Sequence, residues 1–117
     1  MRQRPYLLDG MRRELVLGSI HEVCSHRGWN LLAAHIRMNH VHTVVEAETR
    51  PEKIMITFKA YASRVLNMSG VDEPARKRWA RHGSTRYLWN PKNVSDAIMY
   101  VIFEQGPAME VFEATAS

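Results

Sequence analysis

A chain of 117 residues makes one compact domain, residues 1–117, with a single core and no room for a second. Its 45% apolar content fits a folded protein, its apolar runs are too short to span a bilayer, and the start Met1-Arg2-Gln3-Arg4-Pro5 lacks the apolar stretch of a signal peptide, so a cytoplasmic protein with no membrane partner is expected. The single Cys24 excludes an intramolecular disulfide and a Cys-based zinc site, and 16 Lys and Arg against 12 Asp and Glu give +4, which favours an anionic partner.

Met1 to Leu8 is short and basic, with Tyr6-Leu7-Leu8 its only apolar part. From Gly10 to His26, Met11, Leu15, Val16, Ile20, Val23 and Cys24 recur at three- and four-residue intervals and predict a helix that Gly28 ends. Cys24 falls on its apolar side as a small buried thiol, and His21 and His26 read as surface residues near its last turns. Trp29 to Arg37 reads as a strand with Leu32, Ala34 and Ile36 on one face, and Met38-Asn39 as a two-residue hairpin turn. The second strand, His40 to Ala47, sends His40 and His42 to the same face, because alternate residues of a strand point the same way. Two imidazoles side by side on a rigid strand can share one divalent metal ion, with a third ligand from elsewhere.

Thr49-Arg50-Pro51-Glu52 offers a Thr cap, a Glu three residues on and a Pro in the first turn, a helix start. Ile54, Phe58, Tyr61, Ala62 and Val65 form its apolar stripe, while Lys53, Lys59 and Arg64 lie off it, facing phosphates or water. After the turn-rich connection Asn67 to Glu73 comes the most basic stretch, Arg76 to Trp89. In it the cations Arg76, Lys77, Arg78, Arg81 and Arg86 alternate with Trp79, Tyr87 and Trp89. That mixture suits single-stranded nucleic acid, since cations pair with phosphate and aromatic rings stack on unpaired bases. The competing reading is a solvated basic loop whose Tyr87 and Trp89 close the core from a last strand, Thr85 to Trp89. His82 offers a third imidazole, but Arg81 and Arg86 beside it would repel a cation and favour a DNA contact or a surface role.

Asn90-Pro91 caps a helix running to about Glu104, with Val94, Ala97, Ile98, Val101 and Ile102 as its buried arc. Tyr100 falls about 120° from the centre of that arc, near Asp96 and Glu104, where packing does not need it. Gly106-Pro107 stops the helix, and the tail from Ala108 holds a short docking segment at Met109 to Phe112.

His40-Val41-His42, within Asn39-His40-Val41-His42, resembles the histidine-hydrophobe-histidine signature of HUH single-strand nucleases. Together with His26-Arg27-Gly28-Trp29, Phe58-Lys59-Ala60-Tyr61-Ala62 and Tyr100 followed by Gln105-Gly106, it resembles the single-tyrosine transposases of insertion sequences, closest to their REP-associated branch. The resemblance covers roughly Tyr6 to Phe112. It implies an α+β fold, a small antiparallel sheet with helices of ferredoxin-like or RRM-like type. That pattern begins with a strand for which this chain has hardly the length, so the first strand is expected to be short, missing or supplied by a second copy.

The resemblance also implies a metal-dependent enzyme that cuts and rejoins single-stranded or hairpin DNA through a 5′-phosphotyrosine. His40 and His42 would bind Mg²⁺ or Mn²⁺ and Tyr100 would be the catalytic nucleophile. For the third ligand the pattern places a Gln four residues after the Tyr. Here Glu104 holds that position and Gln105 comes one later, so both stay candidates, with Gln105 favoured. Lys59, Arg64, Arg76, Lys77, Arg78, Arg81, His82, Arg86 and Trp89 are the candidate DNA contacts, and a homodimer is a candidate assembly. Two other readings stand beside this one: a non-catalytic nucleic-acid-binding module that kept the fold, and an unrelated metal-binding protein using His40 and His42.

Overall fold

The computed structural model describes residues 4–73, 76–79, 83, 85–88 and 90–114. In chain order it has helix α1 (Gly10–Arg27), strands β1 (Asn30–Ile36) and β2 (Val41–Glu46), helices α2 (Pro51–Met68) and α3 (Pro91–Phe103), and strand β3 (Glu110–Glu113). The strands make one antiparallel sheet in the order β2-β1-β3, so the fold is α+β as expected.

Local chemistry sets the helix ends. The Asp9 carboxylate accepts the Arg12 N–H at 2.9 Å and starts α1. Gly28 ends it in the left-handed conformation, φ 71°, and the Trp29 N–H closes the turn on the Cys24 carbonyl at 3.0 Å. Nothing lies near a Cβ built at Gly28, so Gly28→Ala tests backbone strain alone and is expected to cost roughly 1 kcal/mol in urea unfolding. In α2 the expected Thr49 cap is not used: Arg50 holds the cap position without a side-chain bond, and the Thr49 hydroxyl accepts the Trp29 indole N–H at 3.2 Å. Asn90 caps α3 as predicted, accepting the Asn93 N–H at 2.9 Å, with Pro91 in the first turn.

The two faces of the sheet carry different layers. Leu31, Ala34 and Ile36 join Val16, Ile20 and Val23 of α1 and Phe58, Ala62 and Leu66 of α2 in the main core, with Cys24 buried among them. Burial pushes the Cys24 thiol pKa up, so it stays protonated and inert. On the other face Val101 and Ile102 of α3 pack against Ala33 and Val44. His35 pairs in register with His42, and directly opposed residues of an antiparallel pair project to one side of the sheet.

Two expectations about strands are corrected. Thr85 to Leu88 form no strand; instead Gly106, at φ 87°, and Pro107 turn the chain back, and β3 takes the free edge of β1 with His35 opposite Val111. The segment read as a short docking element at Met109 to Phe112 is thus mostly the third strand. Leu88 packs with Val94 and Ile98 of α3. The first strand of the ferredoxin-like pattern does not form among residues 4–9, so the described residues carry three strands where a four-stranded sheet would be usual.

That N-terminal segment is strapped down by polar groups instead. Leu8 is buried and its N–H donates to the Met38 carbonyl at 2.7 Å. The Tyr6 hydroxyl donates to Asp72 at 2.6 Å, and the same carboxylate receives Arg12 Nε at 3.0 Å and Arg78 Nε at 2.9 Å. Arg78 also reaches the Asn67 side-chain oxygen at 2.8 Å, and the Arg76 and Arg78 guanidinium groups lie 5.2 and 5.7 Å from the Tyr6 ring centre. Burial alone would raise the Asp72 pKa, but the hydrogen bonds from Tyr6, Arg78 and Arg12 outweigh it and hold it below the ordinary value.

Candidate active site

The hairpin turn is the predicted one: the Arg37 N–H donates to the His40 carbonyl at 2.8 Å, leaving Met38-Asn39 as the two loop residues. Alternation then raises the His40 and His42 rings from the same face, nearly parallel at 9°, with centres 6.0 Å apart. Asn39 Oδ1 lies 2.7 Å from His40 Nδ1, and since an amide oxygen only accepts, Nδ1 donates; in the neutral ring this tautomer leaves the lone pair on Nε2. His42 is half-buried, and burial, followed by the charges of His40, His35 and Arg37, holds its pKa below the ordinary value. The neutral ring is the form that ligates a metal. Asn39→Ala removes the partner that orients His40, and under the metal-binding reading proposed below it is expected to weaken Mn²⁺ binding about tenfold in titration calorimetry.

On α3, Val101 and Ile102 are buried while Tyr100 is 52% exposed. The helix ends in a turn closed by the Glu104 N–H on the Tyr100 carbonyl at 3.0 Å, so Gln105 lies beyond it, before Gly106. Glu104 is exposed. Gln105 is half-buried, and its side-chain nitrogen is enclosed without a hydrogen-bond partner. Among the described residues no group of three or more His, Cys, Asp or Glu side chains has metal-holding spacing, so Glu104 is not gathered with the histidine pair.

Sequence reasoning missed two residues that join these parts. His35 is fully buried; its Nε2 accepts the Met109 N–H at 3.1 Å, so its Nδ1 carries the hydrogen and donates to the Val101 carbonyl at 3.0 Å. Arg37 donates to the Pro107 carbonyl at 2.8 Å. The signal was available: a two-residue turn closed by residues 37 and 40 puts His35 opposite His42, on the face of the pair.

The basic segment lies elsewhere. The Trp79 indole N–H donates to the Ser63 hydroxyl at 2.6 Å, Gly83 lies against the Met55 side chain, and the Thr85 hydroxyl reaches Glu52 at 3.3 Å, so these three described residues of the segment lie along α2. That helix belongs to the core on the opposite side of the sheet from α3. Arg78 is not at the surface: its side chain is 3% exposed and held by Asp72. Arg76 bonds the Arg4 and Lys77 carbonyls. Lys77, Arg64 and Arg86 are exposed and Lys59 is half-buried, whereas Arg81, His82 and Trp89 lie outside the described residues.

A small antiparallel sheet that carries a histidine pair on its hairpin and a tyrosine-bearing helix across the same face defines the class as an α+β domain with a candidate metal-assisted site. A family model described as "Transposase IS200 like" matches residues 1–96, and the chain belongs to that family. The match takes in the histidine pair and ends four residues before Tyr100. No curated protein matches the chain, and no solved structure matches it. Family membership makes DNA the bound partner and transposase-type DNA cleavage the activity. No helix among the described residues is long and apolar enough to cross a membrane.

Proposed function

We propose that this transposase cuts and rejoins single-stranded DNA beside a hairpin through a 5′-phosphotyrosine at Tyr100. A Mg²⁺ or Mn²⁺ ion would be held by His40, His42 and the amide oxygen of Gln105. The observation that carries the reading is the enclosed, unpartnered end of the Gln105 side chain, on the segment that Arg37 ties to the hairpin bearing the parallel imidazoles. A half-turn of the amide would put its oxygen in that place, and a neutral oxygen beside two imidazole nitrogens is a donor set that suits these ions. A carboxylate such as Glu104 would suit the same ions, but Glu104 faces solvent.

A divalent ion bound to these donors would stabilise charge on the scissile phosphate and ease loss of the phenol proton. The chain's own contribution is to aim. Tyr100, about half exposed on α3, can meet a strand approaching from solvent, and its hydroxyl would attack phosphorus. Its proton passes to water, the bond from phosphorus to the 3′ oxygen breaks, and that oxygen leaves as a 3′ hydroxyl after taking up a proton. The phosphotyrosine keeps the energy of the broken phosphodiester, so another 3′ hydroxyl can reverse the step and join strands. Lys59, Arg64, Lys77 and Arg86, with Arg81, His82 and Trp89, are the groups proposed to hold the flanking DNA.

Purified protein incubated with hairpin-bearing single-stranded DNA and Mn²⁺ is expected to give a denaturation-resistant adduct whose DNA maps by mass spectrometry to the peptide holding Tyr100. Binding with no adduct would sink the enzymatic reading and leave a DNA-binding module.

A further inference from the structure

We infer that His35 and Arg37 are positioning residues that clasp the end of α3 to the hairpin, so that Tyr100, Gln105 and the histidine pair are assembled within one chain. The chemistry of this inference rests on the phosphotyrosine reading above; its geometry does not.

His35 and Arg37 are two residues apart at the end of β1 and bind three backbone groups between Val101 and Met109. The Val101 carbonyl sits in the last turn of α3, where helix carbonyls lack an intrahelical donor, and it immediately follows Tyr100. His35 Nδ1–H supplies that donor. The Met109 N–H enters β3 and needs an acceptor, which His35 Nε2 provides. A neutral imidazole offers one donor and one acceptor at fixed positions on a rigid ring, whereas an apolar side chain would fill the space and leave both backbone groups unpaired.

Arg37 holds the far side of Gln105. Its guanidinium bonds the Pro107 carbonyl and lies against Gly106, where an added Cβ would come within 3.2 Å of Nη2. Gly106 at φ 87° therefore serves both the reversal of the chain and the close approach of Arg37. Because His35 is the register partner of His42, whatever fixes His35 to α3 also fixes α3 to the strand bearing the pair.

Displacing reacting groups by about 1 Å costs on the order of 10²-fold in rate. His35→Phe is therefore expected to slow single-turnover adduct formation about 10²-fold with DNA affinity unchanged, and His35→Gln, which again offers a donor and an acceptor, to recover most of the loss. Val16→Ala, in the α1 core, supplies a control that lowers stability and leaves the rate at the wild-type value. Arg37→Ala leaves the buried core intact and is expected to slow adduct formation about tenfold; it serves if His35→Phe does not fold.

Mixing Tyr100→Phe with a His40→Ala, His42→Ala double variant is expected to restore no adduct, since neither chain is complete. Restored cleavage would overturn the inference, as would a His35→Phe rate equal to wild type. A separate arm needs no cleavage. In hydrogen exchange by NMR, the Met109 amide is expected to be protected and to exchange at least about tenfold faster in His35→Phe, with the Ile20 and Val23 amides unchanged. A Met109 amide that exchanges freely in the wild type overturns the clasp even if the protein never cuts DNA.

Discussion

Tyr100→Phe is expected to lower adduct formation and strand cleavage by at least about 10³-fold while leaving DNA binding intact, because it removes the oxygen proposed as the nucleophile and nothing else. The substitution is a clean one here. Tyr100 stands half out of α3, and among the described residues its hydroxyl makes no hydrogen bond, so phenylalanine forfeits no fold contact. Unfolding free energy should stay within about 0.5 kcal/mol of the wild type, as for surface substitutions that touch no special feature. Single-turnover cleavage, urea unfolding and a DNA-binding isotherm on the same preparation check all three. An adduct that persists in Tyr100→Phe would assign the nucleophile to another residue.

Asp72→Asn is expected to cost about 3–5 kcal/mol of stability, the usual result of removing one partner from a buried ion pair and leaving the other charge uncompensated. The Asp72 side chain is 6% exposed, and it neutralises the nearly buried Arg78 and the partly buried Arg12. An amide keeps the shape and accepts hydrogen bonds at one oxygen, but it supplies no charge and no second acceptor for Tyr6 or the arginines. The N-terminal strap should loosen with it, since Tyr6 is tied to the body through this carboxylate.

The same carboxylate sets an acid limb. Its pKa is lower folded than unfolded, so its contribution is complete above the unfolded value near 3.9 and fades as pH falls through the folded one. Urea unfolding at pH 7 and at stepped pH below about 4 should therefore show wild type losing more stability on acidification than Asp72→Asn does.

Several features were legible because they are local. The helical period of Val16, Ile20 and Val23, the Gly28 stop, the Asn90-Pro91 start and the Met38-Asn39 turn each depend on residues within a few positions of one another. The common direction of His40 and His42 follows from strand alternation alone. Thr49 misled because its hydroxyl had a distant competitor, the Trp29 indole, that local pattern does not reveal. Arg78 misled in the same way: a cation in a basic run reads as surface until Asp72, Asn67 and Tyr6 close around it. Glu110 to Glu113 is too short and too polar at its ends to announce a strand, and it becomes one because β1 offers an unpaired edge after the Gly106-Pro107 reversal.

The sequence by itself determined the three helices, the β1–β2 hairpin with its histidine pair and the exposed placing of Tyr100, since periodicity and turn chemistry act over short spans, whereas the α+β class was what the family resemblance implied. Only the tertiary structure decided which strand completes the sheet, that Arg78 is buried, and that His35 and Arg37 join the α3 end to the hairpin. Those outcomes are contacts between residues 6 to 74 positions apart, such as Arg78 with Asp72 and Met109 with His35, and packing and hydrogen-bond satisfaction choose their partners.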